Sequence, residues 1–302
     1  MSKGATLSFQ SMDPHTLDVV KRNNIGIDVF SQLMKQYEEA KIPTYTEMII
    51  GMPGETYQST KDGLDVLLTD QPKNINLFAY VCSALPNSEM SERAYVAKHQ
   101  IETVKMPILL AHSTPEPESF TEYQQVVVQT ATMSQADWQR IYFLYWTVQT
   151  FHCLGLAQWV AILFNKAFGL RYSDFYERLF EYFASRSETL LGQEIEQTKK
   201  IVADSLNGGR LDRVLPGFGN IYWPLDESTF LKLIVDKERF YSELGPFLET
   251  LIGEPTKESF EAIVDLVRYQ AAIISGPTDV DRAVVFKYDW SEYFNHLSGS
   301  GL

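Results

Sequence analysis

Residues 6–22 read TLSFQSMDPHTLDVVKR, and residues 44–56 read TYTEMIIGMPGET. In the first stretch Leu7 and Phe9 alternate as in a strand that runs into Gln10 and Ser11. Asp13 as N-cap and Pro14 at the first helical position then open a short helix ending near Arg22. In the second, the β-prone run at 44–50 meets a Gly-Met-Pro-Gly turn, and a helix follows over about 56–69. Between the two, Ile27, Phe30, Leu33, Met34 and Tyr37 recur at helical spacing over 27–41. INLFAYV (75–81) reads as a third strand. Strands alternating with helices through short loops predict an α/β fold in which 6–10, 44–50 and 75–81 pair in parallel.

Parallel sheets bind ligands at the carboxyl ends of their strands, so Phe9-Gln10-Ser11 and Ile49-Ile50-Gly51 are the places to look for chemistry. Gly51 lacks a side chain and lets a flat ligand approach the backbone, while Pro53-Gly54 shapes a tight turn into the next helix. Strand alternation puts Glu47, Ile49 and Gly51 on one face. A carboxylate pointing from that face among apolar neighbours needs a partner, and sugar hydroxyls suit it. Taken alone, Gly-Met-Pro-Gly-Glu-Thr is an ordinary strand-to-helix turn and Arg22 could pair with an acidic neighbour at a helix end.

FQSMDPHTLDVVKR and TEMIIGMPGET together resemble the fifth and sixth strand units of the radical S-adenosylmethionine (SAM) barrel. That family has a strand ending in Gln-Ser/Asp, an Asp- or Asn-headed helix, and an Arg twelve residues after the Gln, as from Gln10 to Arg22 here. Its next strand has an acidic residue four positions before the Gly of Gly-x-Pro, matched by Glu47 and Gly51. The resemblance implies that Gln10, beside Ser11, bonds the ribose hydroxyls or methionyl group of SAM. It implies that Arg22 holds the methionine carboxylate and Glu47 the ribose, and that the backbone at Ile49 and Gly51, before Pro53, borders the adenine. LFAYVCSALPNSEM, then YVAKHQIE and DWQRIYFLYW, are similar to the branch whose members carry an N-terminal cobalamin-binding domain.

On this resemblance, residues 1–115 are the second half of a (β/α) barrel and 116–302 an α-helical C-terminal domain. The family's CxxxCxxC motif, which holds its [4Fe–4S] cluster, does not occur in this sequence. Strands one to four, the cluster ligands and any cobalamin domain are therefore expected upstream of Met1, and this chain alone is expected to be inactive. The implied chemistry is reductive cleavage of SAM to a 5′-deoxyadenosyl radical that abstracts hydrogen from a substrate. Methyl transfer to carbon is one outcome in the cobalamin branch; rearrangement and ring formation are others. The substrate has no motif.

The net charge of −13 argues against an electrostatic grip on nucleic acid or anionic lipid. No signal peptide is visible in MSKGATLSF, and two isolated cysteines, Cys82 and Cys153, form neither a disulfide framework nor a metal-ligand spacing; a cytoplasmic, reducing setting fits. Between Arg140 and Lys166 no Asp, Glu, Lys or Arg occurs. Thr147, Gln149, Thr150, His152 and Gln158 interrupt that stretch, and Ser134-Gln135-Ala136-Asp137 resembles a capping box, so it reads as a buried helix or helix pair rather than a membrane span. His99, Glu102 and His112 have no recognised ligand spacing, and His152 reads as a core histidine. Trp138, Tyr142, Tyr145 and Trp146 read as helix core, with a substrate-pocket wall as the alternative. Helices are expected at 120–129, 137–146, 173–186, 189–206, 227–251 and 256–274, and a closing strand at 283–290. The alternative function is a non-catalytic helical module that binds a protein or lipid.

Overall fold

The computed structural model describes residues 4–299 except 71, 72, 74, 116, 118, 119, 253–255, 278, 281 and 282. Strand β1 (Ala5–Thr6) leads to α1 (Pro14–Val19) and α2 (Ile27–Glu39), then β2 (Thr44–Ile50), α3 (Tyr57–Asp70) and β3 (Leu77–Val81). The three strands form one sheet in the order β1-β2-β3, both pairs parallel. Regular pairing of β1 is shorter than the expected 6–10. The ladder continues irregularly, with the Leu7 N–H donating to Tyr45 and both Phe9 and Gln10 N–H groups donating to the Glu47 carbonyl. Gln10 breaks the strand because its φ is +63°, a left-handed conformation that costs a non-glycine residue energy.

Burial alternates strictly along β2: Thr44, Thr46, Met48 and Ile50 are buried, while Tyr45, Glu47 and Ile49 are partly exposed. The buried set packs under α2 and α3, where Phe30, Met34, Leu64, Leu67 and Leu68 complete an apolar layer. Register places Phe78 opposite Glu47 and Tyr80 opposite Ile49, so these residues share the other face. Phe78 and Tyr80 are 40% and 47% exposed, which leaves that face open among the described residues.

After β3 come α4 (Arg93–His99), β4 (Glu102–Pro107) and β5 (Tyr123–Gln129). Residues 120–129, expected as a helix, instead contain β5, antiparallel to β4. Three consecutive valines, Val126 to Val128, are all buried, as suits β-branched side chains on a sheet covered on both sides. The backbone of β5 also joins the end of β3: Val127 N–H donates to the Cys82 carbonyl and Ala84 N–H to Gln125. The β4–β5 pair straddles residue 115, where the change to helices was expected.

The rest is mostly helical: α5 (Gln135–Val148), a π-helical turn (Gln149–Cys153), α6 (Gln158–Phe168), α7 (Tyr172–Ala184) and α8 (Leu190–Ser205). A short antiparallel pair, β6 (Asp212–Val214) and β7 (Tyr222–Pro224), precedes α9 (Leu225–Val235), α10 (Lys237–Leu251), α11 (Lys257–Ile273) and α12 (Trp290–Gly299). The capping box at Ser134–Asp137 is present. Among the described residues no single helix is long and apolar enough to cross a membrane; α5 with its π turn and α6 pass such a test only as a pair bent by 99°. Val160 to Phe164 of α6 are buried in the protein core.

Two further expectations are corrected. The helix over 227–251 is broken at Asp236, whose φ and ψ of −127° and 55° are not helical; there Lys237 turns onto the Ala271 and Ile274 carbonyls. No strand forms in the described part of 283–290, because the buried Asp265 carboxylate takes the N–H groups of Lys287 and Tyr288 and the indole N–H of Trp290. Those donors serve a carboxylate rather than a ladder. One apolar core runs from Phe9 and Ile50 through Trp138, Phe151 and Phe175 to Phe240 and Trp290.

Candidate functional site

The carboxyl ends of β1 and β2 gather four of the seven expected site residues. Asp13 caps α1 by accepting from the N–H and hydroxyl of Thr16, and the chain after α1 curls so that the Arg22 N–H donates to the Leu17 carbonyl. This turns the Arg22 side chain back onto the strand end. Its Nη2 donates to the Ser8 carbonyl at 2.8 Å and its Nε to Asn24 Oδ1 at 3.0 Å. Both acceptors are neutral, and among the described residues Arg22 forms no ion pair. Gln10 is tied to β2 through its backbone, with the Ile49 N–H donating to the Gln10 carbonyl at 2.8 Å. Glu47 and Ile49 lie beside it on the open face, and the Glu47 carboxylate makes no side-chain hydrogen bond or ion pair among the described residues. A guanidinium bonded only to neutral acceptors and a carboxylate with no side-chain partner therefore both belong to residues near the end of β1.

The other three residues sit inside the wall behind this rim. Ser11 is buried and its hydroxyl donates to Glu55 Oε1 at 2.8 Å while accepting from the Asp13 N–H. Glu55 is 2% exposed, and burial first, with Asp13's charge adding, pushes its carboxyl up to about 8 against the Ser11 bond. Gly51 has φ +101°, and a Cβ there would meet the Val127 carbonyl oxygen at 2.8 Å. The close approach that its missing side chain permits is made by protein backbone. Pro53 is buried in the same turn.

The structure adds a second feature that no sequence pattern announced, a cavity of about 390 Å³ beside β3. Phe78 and Tyr80, from the face that carries Glu47 and Ile49, and Ile50, Ala79 and Val81, from the other face, line it on the side of the sheet. Tyr142, Tyr145 and Trp146 of α5 line another side, and Asp226 at the start of α9 a third. Asp226 Oδ2 accepts from Gln149 Nε2 at 3.2 Å, and burial, then the adjacent Glu227 charge, pushes its carboxyl up to about 6. Glu227 is paired with His112 Nε2 at 2.6 Å. As sequence, Asp226-Glu227 is an ordinary acidic first turn of a helix; only the fold brings it opposite the α5 aromatics that were expected as core with a pocket wall as alternative.

Other candidates resolve as structural groups. His152 is buried with Nδ1 at 2.8 Å from the Tyr176 hydroxyl, and His99 packs on Tyr95. Cys82 and Cys153 are free, and burial pushes both thiols up to about 12, far from the thiolate that ligates metal. Among the described residues no three His, Cys, Asp or Glu side chains group as a metal site. The residues present do not fit a [4Fe–4S] cluster.

No family model matches the chain. Over 308 aligned residues, 96% of this chain, it is 28% identical to the cobalamin-dependent radical SAM methyltransferase TokK of Streptomyces tokunonensis. It is also 28% identical, over 309 residues, to a 2-(S-pantetheinyl)-carbapenam-3-carboxylate methyltransferase of Streptantibioticus cattleyicolor. The chain spans 44% of the length of each of these relatives.

Proposed function

We propose that this chain forms the SAM-binding strand ends and the helical body of a cobalamin-dependent radical SAM methyltransferase. The cluster-binding and cobalamin-binding parts, on this reading, are supplied by residues outside it. The observation that carries the reading is Arg22: a guanidinium held against a parallel strand end by neutral acceptors only, on the same rim as an unpaired Glu47. Such a pair of opposite charges suits a zwitterionic ligand with a carboxylate at one end and ribose hydroxyls at the other. The similarity along nearly the whole chain to relatives named as methyltransferases supports the same reading.

Within it, Arg22 binds the methionine carboxylate, with Ser8 and Asn24 fixing its remaining donors. Glu47 accepts from the ribose hydroxyls, and Gln10, whose side-chain amide has no hydrogen bond to the described residues, bonds the ribose or the methionyl group. The backbone at Ile49 borders the adenine. The cluster and cobalamin, held by residues outside this chain, would supply hydrogen abstraction from carbon and the methyl group; the residues of this chain would hold and orient SAM.

The test is SAM binding by titration calorimetry or ligand-observed NMR, comparing wild type with Arg22→Ala and Glu47→Gln at matched melting temperature. Loss of a charge-assisted bond at Arg22 should weaken binding by roughly 1.5–3 kcal/mol, about tenfold to over a hundredfold. Glu47→Gln should weaken it less, because the amide still accepts from a hydroxyl. Equal affinity in wild type and Arg22→Ala would remove Arg22 from the site and leave the reading without its main support.

A further inference from the structure

We propose that the cavity between β3, α5 and the start of α9 binds an organic cation, an ammonium group carried on an apolar body. The lining is aromatic and aliphatic, with Phe78, Tyr80, Tyr142, Tyr145 and Trp146 among its residues. Two carboxylates, Asp226 and Glu227, line it, and no Lys or Arg does among the described residues. Glu227 has His112 as its partner, whereas the Asp226 carboxylate takes the neutral Gln149 amide and the backbone N–H groups of Asp226 and Glu227 and makes no ion pair among the described residues. A half-buried carboxylate without a cation is costly, and an incoming ammonium both pairs with it and lies near ring faces that attract positive charge. The same lining repels carboxylates and phosphates, which a methionine carboxylate or a nucleotide would present. A volume of about 390 Å³ is in the range of small-molecule sites.

Phe78 and Tyr80, which line the cavity, share a sheet face with Glu47 and Ile49 of the proposed SAM site. That the cation is the basic nitrogen of the methyl acceptor rests on the function proposed above; that the cavity takes a cation does not.

The test uses the 302-residue chain without SAM and three probes of one shape: benzylamine, benzyl alcohol and benzoate, titrated by NMR or calorimetry at pH 7.5. Benzylamine should bind at least tenfold more tightly than benzyl alcohol, and benzoate should show no saturable binding. Asp226→Asn, which keeps the size and the bond to Gln149, should bring benzylamine down to the affinity of benzyl alcohol and leave benzyl alcohol unchanged. Should that variant fail to fold, wild type at pH 5 serves instead. There Asp226 is discharged, and benzylamine should lose at least tenfold relative to benzyl alcohol. The groups facing Asp226 in that titration are Glu227 on its own helix, Tyr142 on α5, Gln149 and Cys153 in the π turn, and His112 beyond Glu227. Benzoate or benzyl alcohol binding as tightly as benzylamine, or an Asp226→Asn variant with undiminished preference for the amine, overturns the proposal. SAM binding would be untouched by that result, and loss of SAM binding in Arg22→Ala would leave this one standing.

Discussion

The Ser11 hydroxyl donates a 2.8 Å hydrogen bond to Glu55, joining the turn after β1 to the turn after β2 inside the protein. The bond belongs to a longer chain. The Ser11 carbonyl accepts from Asn24 Nδ2, and Asn24 Oδ1 accepts from Arg22 Nε, so the glycine-rich turn is connected to the guanidinium at the strand end. Ser11 and Arg22 of the first motif, Glu55 of the second and Asn24, outside both, are thus linked in one chain of hydrogen bonds. A change at Glu55 is felt at the rim.

Glu55 makes stability depend on pH. Its carboxyl titrates at about 8 in the fold against an ordinary 4.5. Between those values the folded state keeps a proton that the unfolded state has lost. The associated stability is full below about 4.5 and is lost progressively as pH rises to about 8, a change of up to roughly 5 kcal/mol. Glu55→Gln has no proton to lose. Urea midpoints at pH 5, 6.5 and 8 should show the variant gaining on wild type as pH rises, and a difference that stays flat across that range contradicts the assignment.

Ser11→Ala should cost about 1–3 kcal/mol, because it strips a buried carboxyl of its partner and leaves the Asp13 N–H unserved. The cost should shrink when combined with Glu55→Leu, which removes the stranded group. A double-mutant cycle by urea unfolding checks the coupling; strictly additive losses would show that the two side chains act separately.

The parallel order of 6–10, 44–50 and 75–81 was legible because Asp13-Pro14, Pro43 and Gly51 punctuate short apolar runs. The capping box at Ser134 was equally readable. The strand at Tyr123–Gln129 was not: Phe120, Tyr123 and Val127 satisfy helical spacing, and the β-branched Val126–Val128, which favour a strand, have their partner β4 across a loop. The closing strand failed for a similar reason, since Asp265, about twenty residues earlier, takes the donors that a strand would have used. At the site, Gln10, Arg22 and Glu47 were placed by a family resemblance, whereas composition alone gave them no role. Gly51 was read as making room for ligand, and the room is filled by Val127. Asp226 was invisible because its significance is purely spatial, set by aromatics on α5 and a strand nearly 150 residues upstream.

Lys61 fastens the sheet layer to the helices. Only 7% exposed on α3, it donates to Asp174 at 2.7 Å and Glu177 at 2.6 Å on α7. Burial opposes the charge on Glu177, but bonds from Lys61, Tyr57 and Arg140 outweigh it and hold that carboxyl below the usual range. Lys61→Met should cost roughly 1–3 kcal/mol, discounted for the partial exposure of both carboxylates. A depressed carboxyl contributes stability above its unfolded value and loses it as pH falls through the folded one. The gap between wild type and Lys61→Met should therefore narrow below about pH 4. Thermal melts at pH 7 and pH 3 check this, and an unchanged gap would mean that the ion pair is not the source.

Gly51→Ala should be more damaging than its size suggests. At φ +101° any L residue is strained, and the new Cβ would stand 2.8 Å from the Val127 carbonyl oxygen, a backbone atom that cannot rotate away. Trp138 Nε1 at 3.4 Å and Cys82 Cβ at 3.5 Å close the other sides. Relief requires β5 to move off the end of β3, which breaks the bond from Val127 N–H to the Cys82 carbonyl. Gly169→Ala is the control, since Gly169 also has positive φ, +67°, but nothing lies within 4 Å of the place its methyl group would occupy. The control should cost about 1 kcal/mol from backbone strain alone, and Gly51→Ala roughly 2–4 kcal/mol from strain plus overpacking. Urea unfolding of the two variants separates these contributions. If Gly51→Ala came within about 0.5 kcal/mol of Gly169→Ala, the contact with Val127 would carry no energy, and the glycine would be needed for its backbone angle or for a ligand instead.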